Sequence, residues 1–142
     1  MNVLTVTREP VPYRIDGVLQ PEPALMHMFV VDGQRMSERL GFDDARPWFG
    51  RTWLDGGAAG GLAQLLGSAA PDNQWGSGRL VLFGCHCGSD YCGVISCRLE
   101  QDADTVRWLD VRYEGDDDPP PYPGRLERLI FDRAAYRRVL RM

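Results

Sequence analysis

The stretch from residue 79 to residue 114 constrains the fold more than any other part of this 142-residue chain. Residues 80–83 form a continuous apolar run, residues 94–100 alternate between apolar and polar side chains, and residues 105–113 follow a turn at residues 102–104. Strands that succeed one another with short connections pair as antiparallel neighbours. The stretch therefore predicts a β-meander.

The alternation in the second of these segments also predicts which side chains face the core. Ile95, Cys97 and Leu99 fall on one face of the strand, and polar Ser96 falls on the other. A cysteine between two apolar neighbours behaves as a small hydrophobic side chain. We therefore expect Cys97 to be buried in the core.

The rest of the chain predicts short elements separated by glycine and proline. We expect a strand at residues 3–7, which gives way to a connection marked by Pro10 and Pro12. A strand pair turning at Asp16-Gly17 and a buried strand at residues 25–31 follow.

Helical segments are predicted at three places. One turn at residues 37–40 is closed by Gly41, and a short helix through residues 62–66 is stopped by Gly67. After a strand at residues 126–131, Asp132 is a good N-cap for a C-terminal helix with an apolar stripe and several arginines. Taken together, the pattern predicts one α+β domain, with an antiparallel β-meander sheet and two or three short helices.

Composition excludes several chemistries. All 16 basic residues are arginine, so Schiff-base, pyridoxal-phosphate and Walker-type lysines are excluded. The net charge of −4 argues against nucleic acid as the main partner, because phosphate binding needs clustered positive charge. No catalytic constellation is recognisable, so we expect a non-enzymatic protein.

The chain shows neither a secretory signal nor a membrane span. Residues 1–8 alternate like a strand, and no apolar run approaches the length needed to cross a bilayer. We therefore expect a cytoplasmic protein. Thiols normally stay reduced there, and clustered cysteines indicate metal or redox chemistry more often than a structural disulfide.

Three of the four cysteines lie in one short segment around a predicted hairpin loop. Cys85 and Cys87 are two residues apart on a strand and share a face, and Cys92 begins the return strand. These three thiols are candidate zinc ligands, although tetrahedral zinc needs a fourth. The fourth ligand would be His86, His27, Asp90 or a water.

The cysteine segment also permits a redox role or a purely structural one. Cys87 and Cys92 flank the same turn, so they are candidates for a disulfide or a redox pair. Alternatively, the three cysteines are small buried side chains at a tight hairpin. The spacing is not the repeated Cys-x-x-Cys of a strong zinc site.

Three segments resemble a family of small uncharacterised proteins from high-GC bacteria. They are Leu82-Phe83-Gly84-Cys85-His86-Cys87-Gly88, then Cys92-Gly93, then Asp104-Thr105-Val106-Arg107-Trp108. The segment that the family shares has the pattern Leu-x-Gly-Cys-x-Cys-Gly-x-x-x-Cys, followed by a Thr-Val-x-Trp strand. This chain resembles that pattern over about a quarter of its length. The resemblance implies the hairpin and the meander but no activity, and His86 is not carried over as a ligand.

The preferred functional hypothesis is a protein-binding module, such as an immunity-type protein that neutralises a basic toxin. An acidic surface suits a basic partner, and tryptophan is enriched at binding hot spots. The predicted contact residues are Trp48, Trp53, Asp116, Asp117, Asp118 and Tyr122. A core role for the tryptophans and a merely solvated acidic loop are the competing interpretations. The alternative function is a zinc-binding or thiol-redox protein that uses Cys85, Cys87 and Cys92. The sequence does not indicate an oligomeric state.

Overall fold

Two antiparallel sheets of three and four strands, a separate two-stranded hairpin and three short helices make up the part of the chain that the computed structural model describes, residues 1–11, 14–41, 61–84, 92–120 and 124–141. The strands are β1 (Leu4–Val11), β2 (Arg14–Ile15), β3 (Val18–Leu19), β4 (Ala24–Val31), β5 (Gln34–Arg35), β6 (Leu80–Phe83), β7 (Val94–Gln101), β8 (Thr105–Glu114) and β9 (Leu126–Asp132). The helices are α1 (Met36–Arg39), α2 (Gly61–Leu65) and α3 (Arg133–Leu140). The predicted α+β class is confirmed.

The meander is confirmed and is one strand larger than predicted. Strands β6, β7, β8 and β9 pair antiparallel in that order. The β7–β8 ladder slips by one residue beside Asp110, which has a φ of 52°. Such a bulge inserts an extra residue on one strand and shifts the inward face from one parity to the other. On β8 the buried side chains accordingly change from Val106 and Trp108 to Val111 and Tyr113.

The second sheet has the order β1-β4-β5, and β1 is longer than the sequence predicted. The expected break at Pro10 is wrong, because Pro10 lies within β1 and is paired with Leu25. Since β1 is an outer strand, a residue without an N–H is tolerated there. The small hairpin β2–β3 turns at Asp16-Gly17 as predicted, and positive φ values at both residues suit a two-residue turn.

The core lies between the two sheets. Phe29 of β4 packs edge-to-face on Phe83 of β6 and on Trp108 of β8, with ring centroids 5.5 and 5.4 Å apart. Cys97 is fully buried in the same cluster, as predicted. Ser96 is also fully buried, although the alternation placed it on the polar face, because polar side chains cover it from that face.

The sequence signals correctly predict the glycines that end α1 and α2 and the residue that caps α3, whereas α1 and α2 each begin one residue earlier than predicted. Gly41 follows α1 and Gly67 follows α2, both in the left-handed region with φ values of 71° and 76°. Asp132 caps α3 by accepting a hydrogen bond from the Ala135 N–H at 2.9 Å. Helix α3 buries Tyr136 and Leu140 while packing against β1, β8 and β9.

The N-terminal segment joins the two sheets. Asn2 donates its backbone N–H to the Ile130 carbonyl at 2.7 Å and accepts the Ile130 N–H at its side-chain oxygen at 2.8 Å. Its side-chain amide donates to Asp32, next to the end of β4, at 2.7 Å. The longest helix of the described residues has eight residues, which is too short to cross a bilayer.

Candidate functional site

The strand ends that flank both regions singled out in the sequence lie at one end of the four-stranded sheet. Because neighbouring strands run in opposite directions, β6 ends, β7 begins, β8 ends and β9 begins at the same end. The chain leaves this end after Gly84 and returns at Cys92. It leaves the same end again after Glu114, where the segment that contains Asp116–Asp118 begins, and we call this the acidic segment. We call this end the loop end of the sheet.

Two glycines and a tyrosine hold the bases of these loops together. Gly93 has a φ of 93°, and a side chain there would meet the Tyr113 ring, its Cβ lying 2.6 Å from the hydroxyl oxygen. A Cβ on Gly115 would also clash with the Tyr113 hydroxyl and would lie 3.1 Å from the Gly93 Cα. The start of β7 and the acidic segment therefore touch through backbone that only glycine permits.

Tyr113 ties the acidic segment to this base through Asp117, and the three aspartates of the segment face water. Tyr113 donates its hydroxyl to Asp117 at 3.4 Å, and partial burial raises the pKa of Tyr113 above its ordinary value. The side chains of Asp116, Asp117 and Asp118 are all exposed. Three carboxylates therefore project from the loop end.

The structure describes part of the predicted site. Cys92 is exposed at the loop end, and Asp116, Asp117 and Asp118 are exposed beside it. The predicted site residues and candidate ligands that lie outside the described residues are Trp48, Trp53, Cys85, His86, Cys87, Asp90 and Tyr122, whereas His27 lies on β4. Within the described ranges, no three or more His, Cys, Asp or Glu side chains come close enough to hold a metal ion.

A polar network beside the loop end was not foreseen from the sequence. Arg79, just before β6, reaches across β7 to β8, and its side chain is only 10% exposed. It donates from Nε to the Ser96 hydroxyl at 2.9 Å and from a terminal nitrogen to the Ser96 carbonyl at 3.0 Å. It also donates to the Asp110 carbonyl and lies 3.3 Å from the Asp110 carboxylate. Arg79 thus closes the gap that the bulge opens in the ladder.

Asp110 is the centre of charge in this network. Its carboxylate lies 2.9 Å from Arg112 and 2.7 Å from Arg125, in addition to its contact with Arg79. Burial alone would raise the pKa of Asp110, but the hydrogen bond and charge of Arg112, with the charges of Arg125 and Arg79, outweigh it and lower that pKa. Asp110 is therefore an ionised structural group.

Glu114 carries the network to the loop end. One of its oxygens accepts hydrogen bonds from the Asn73 amide at 3.2 Å, the Ser77 hydroxyl at 3.1 Å and the Ser96 hydroxyl at 3.3 Å. Because Glu114 is the last residue of β8, these bonds fix the residue from which the acidic segment starts. The segment before β6 and the acidic segment are thereby held to a common support.

One sequence signal could have located the bulge. Along β8 the large apolar residues occupy even positions up to Trp108 and odd positions from Val111 onward. A regular strand cannot bury both sets, so the change of parity at Leu109-Asp110 requires an extra residue. No comparable signal marks Arg79, whose partners lie 17 and 31 residues away.

The described groups at the loop end suit binding more than proton transfer. The two carboxylates of the network are already engaged, Asp110 by arginines and Glu114 by hydroxyl and amide donors. The Asp116–118 carboxylates stand free of ion pairs with the described residues and face solvent. The arrangement is a rigid polar base carrying an exposed acidic edge.

Comparison with known proteins adds no assignment. The chain matches no known protein family, and no characterised protein or solved structure shows significant similarity to it.

Proposed function

We propose that this chain is a small protein-binding module whose loop end binds a basic partner. The observation that carries the proposal is the exposure of Asp116, Asp117 and Asp118 on a segment whose base is fixed by Glu114 and Tyr113. An immunity-type role, in which a basic toxin is neutralised in the cytoplasm, is the specific form of the proposal. We also propose that the chain is related to the family of small proteins from high-GC bacteria that it resembles.

Physical chemistry supports this use of the loop end. Acidic groups at the rim of an interface accelerate association with a basic partner and select against acidic ones. A loop that is already held in place loses less conformational entropy on binding than a loose one. The network behind Glu114 supplies that preorganisation.

Affinity capture with a matched pair of variants tests the proposal. The loop variant is Asp116→Asn/Asp117→Asn/Asp118→Asn, and the control Asp16→Asn/Glu22→Gln/Glu127→Gln makes the same change in net charge at exposed positions elsewhere. We expect the wild type and the control to retain one basic protein from the source cells in stoichiometric amount. The loop variant should lose it.

Binding to that purified partner then makes the test quantitative. We expect the loop variant to bind at least about tenfold more weakly, with a shallower salt dependence, because rim charges act mainly on association and its salt dependence. A partner that binds the loop variant as tightly as the wild type would place the interface elsewhere.

The second candidate is a zinc-binding or thiol-redox function of Cys85, Cys87 and Cys92. The observation that favours it is the exposure of Cys92 at the loop end, where a reagent or metal can reach it. Cys97 differs, because it is fully buried and burial raises the pKa of its thiol, which keeps it protonated and unreactive. Metal analysis of protein purified without chelators, on wild type and Cys92→Ser, checks this candidate. Equal zinc in both would exclude Cys92 as a ligand.

A further inference from the structure

Three arginines at the C-terminal end of α3 differ from six arginines elsewhere in the described chain, because no described carboxylate pairs with them. Six arginines elsewhere lie within 4 Å of a carboxylate: Arg35, Arg39, Arg79, Arg107, Arg112 and Arg125. On α3 and at its end, Arg137, Arg138 and Arg141 form no ion pair with any described residue. Since the chain contains no lysine, the significant feature is the grouping and not the choice of arginine.

Helix geometry brings these three side chains around one open concavity. Ala134, Arg137, Arg138 and Arg141 have the spacing i, i+3, i+4 and i+7, so they are neighbours on one helix surface. Side chains on a helix lean toward its N-terminus, so the arginines lean toward Ala134, whose methyl group leaves room. These four residues line a space of about 510 Å³, and no described carboxylate lines it.

The arrangement leaves positive charge and donors unsatisfied. Like charges three and four residues apart on a helix repel one another by a few tenths of a kcal/mol per pair. The Arg137 Nε is buried and lacks a hydrogen-bond partner in the described part of the chain. The negative end of the helix dipole favours cations here, but it carries no full negative charge that would pair with a guanidinium group.

An apolar groove adjoins the arginines. It has a volume of about 280 Å³ between the N-terminal segment and α3, shares Arg138 with the first concavity, and is lined in part by Val3, Phe131, Ala135 and Val139. Its carboxylate, Asp132, is already engaged by the Ala135 N–H.

From this geometry we infer that α3 forms a binding site for a phosphorylated small molecule. Arg137, Arg138 and Arg141 bind the phosphate, and the apolar part of the molecule lies in the groove beyond Arg138. A tetrahedral phosphate has enough oxygens to accept hydrogen bonds from three guanidinium groups at once, whereas a planar carboxylate has only two oxygens. This site is separate from the acidic loop end and does not rest on the proposed partner binding.

Calorimetric titration of the full chain with three small probes tests the site. Phenyl phosphate has both parts of the inferred ligand, inorganic phosphate lacks the apolar part, and benzoate replaces the phosphate with a carboxylate. At constant ionic strength we expect saturable binding in the order phenyl phosphate, inorganic phosphate, benzoate. No saturable binding of phenyl phosphate, or equal binding of all three probes, would overturn the inference.

Variants then locate the site. Arg137→Gln/Arg138→Gln/Arg141→Gln should weaken phenyl phosphate binding by about tenfold or more, because the lost charge-assisted bonds to the phosphate are together worth at least about 1.4 kcal/mol. The control Arg8→Gln/Arg98→Gln/Arg128→Gln removes the same charge at exposed positions and should bind like the wild type. If both triple variants bind phenyl phosphate equally weakly, the loss is due to the change in net charge, and the inferred site is wrong.

Two further measurements cover the remaining outcomes. Ala134→Glu places a carboxylate among the arginines at favourable helix spacing, so it should abolish phosphate binding without lowering the melting temperature. Retained binding in a folded Ala134→Glu protein would contradict the site even if the triple variant did not fold. A thymidine oligonucleotide whose affinity rises steadily with its length would instead identify a nucleic-acid surface and overturn the small-molecule inference.

Discussion

The outer face of the four-stranded sheet and the surface of α3 both concentrate arginine, but their electrostatic surroundings differ. On the sheet, Arg79, Arg112 and Arg125 converge on the single carboxylate of Asp110. On α3, Arg137 and Arg138 have no carboxylate within the described residues to pair with. A charge that is buried and paired contributes to the fold, whereas a charge left unpaired on the surface can be removed with little loss of stability.

The largest expected effect separates these two groups. Arg79→Ala removes the buried donor to the Ser96 hydroxyl, the Ser96 carbonyl and the Asp110 carbonyl, and leaving several buried acceptors unpaired should cost about 3 kcal/mol. Arg112→Ala removes a 42% exposed partner of the Asp110 carboxylate and should cost at most about 1 kcal/mol. Urea denaturation of both variants measures the difference, and equal losses would contradict the assigned role of Arg79.

The next effect depends on pH. Asp110→Asn keeps a residue that tolerates the left-handed conformation but removes the charge, and it should cost about 2 kcal/mol at neutral pH. The pKa of Asp110 is lowered in the folded protein, so its contribution is complete above the unfolded pKa of about 3.9 and is lost as the pH falls through the lower folded pKa. The stability gap between wild type and variant should therefore close in acid. A gap that persists at low pH would show that charge is not its cause.

A smaller effect is expected where the network meets the loop end. Glu114→Gln keeps one acceptor oxygen but removes the charge that binds Ser77, Ser96 and Asn73, and it should cost about 1 kcal/mol. The exposed Glu127→Gln on β9 is the control and should change stability by less than about 0.5 kcal/mol. Thermal unfolding compares the two, and indistinguishable midpoints would mean that the acidic segment is not anchored through Glu114.

The smallest effect is expected on α3. Without phosphate, the triple substitution of Arg137, Arg138 and Arg141 by Gln should change stability by no more than about 1 kcal/mol in total, because relief of repulsion and loss of the dipole interaction oppose each other. The same denaturation experiment measures it. A loss as large as that of Arg79→Ala would make these arginines structural and remove the contrast between the two groups.

The strands and turns of this fold could be predicted largely from local patterns. The alternation around Ile95 and Cys97 located β7, and the left-handed glycines Gly41 and Gly67 marked the helix ends, because these features depend only on neighbouring residues. Pro10 misled the prediction because its tolerance depends on β1 being an outer strand, which is a property of the whole sheet.

The polar network could not be predicted in the same way. Ser96 was assigned to the polar face by periodicity, but its burial depends on Arg79 and Glu114, which come from distant parts of the chain. Of the candidate site, the sequence identified the acidic residues and the cysteines. That both segments leave from one end of the sheet follows from the predicted meander, but the close approach of Gly93 and Gly115 to Tyr113 does not, because it depends on packing between residues distant in sequence.

The bonds made by Asn2 cover part of an open sheet edge. An open strand edge presents unpaired N–H and carbonyl groups to which another chain can add, and this is a common start of aggregation. Asn2 occupies such groups at Ile130, on the outer strand of the larger sheet, while its amide is held by Asp32. Replacing Asn2 by glycine would free the Ile130 N–H while keeping the backbone bond to the Ile130 carbonyl, so we expect the variant to aggregate at a lower protein concentration than the wild type, as light scattering would measure.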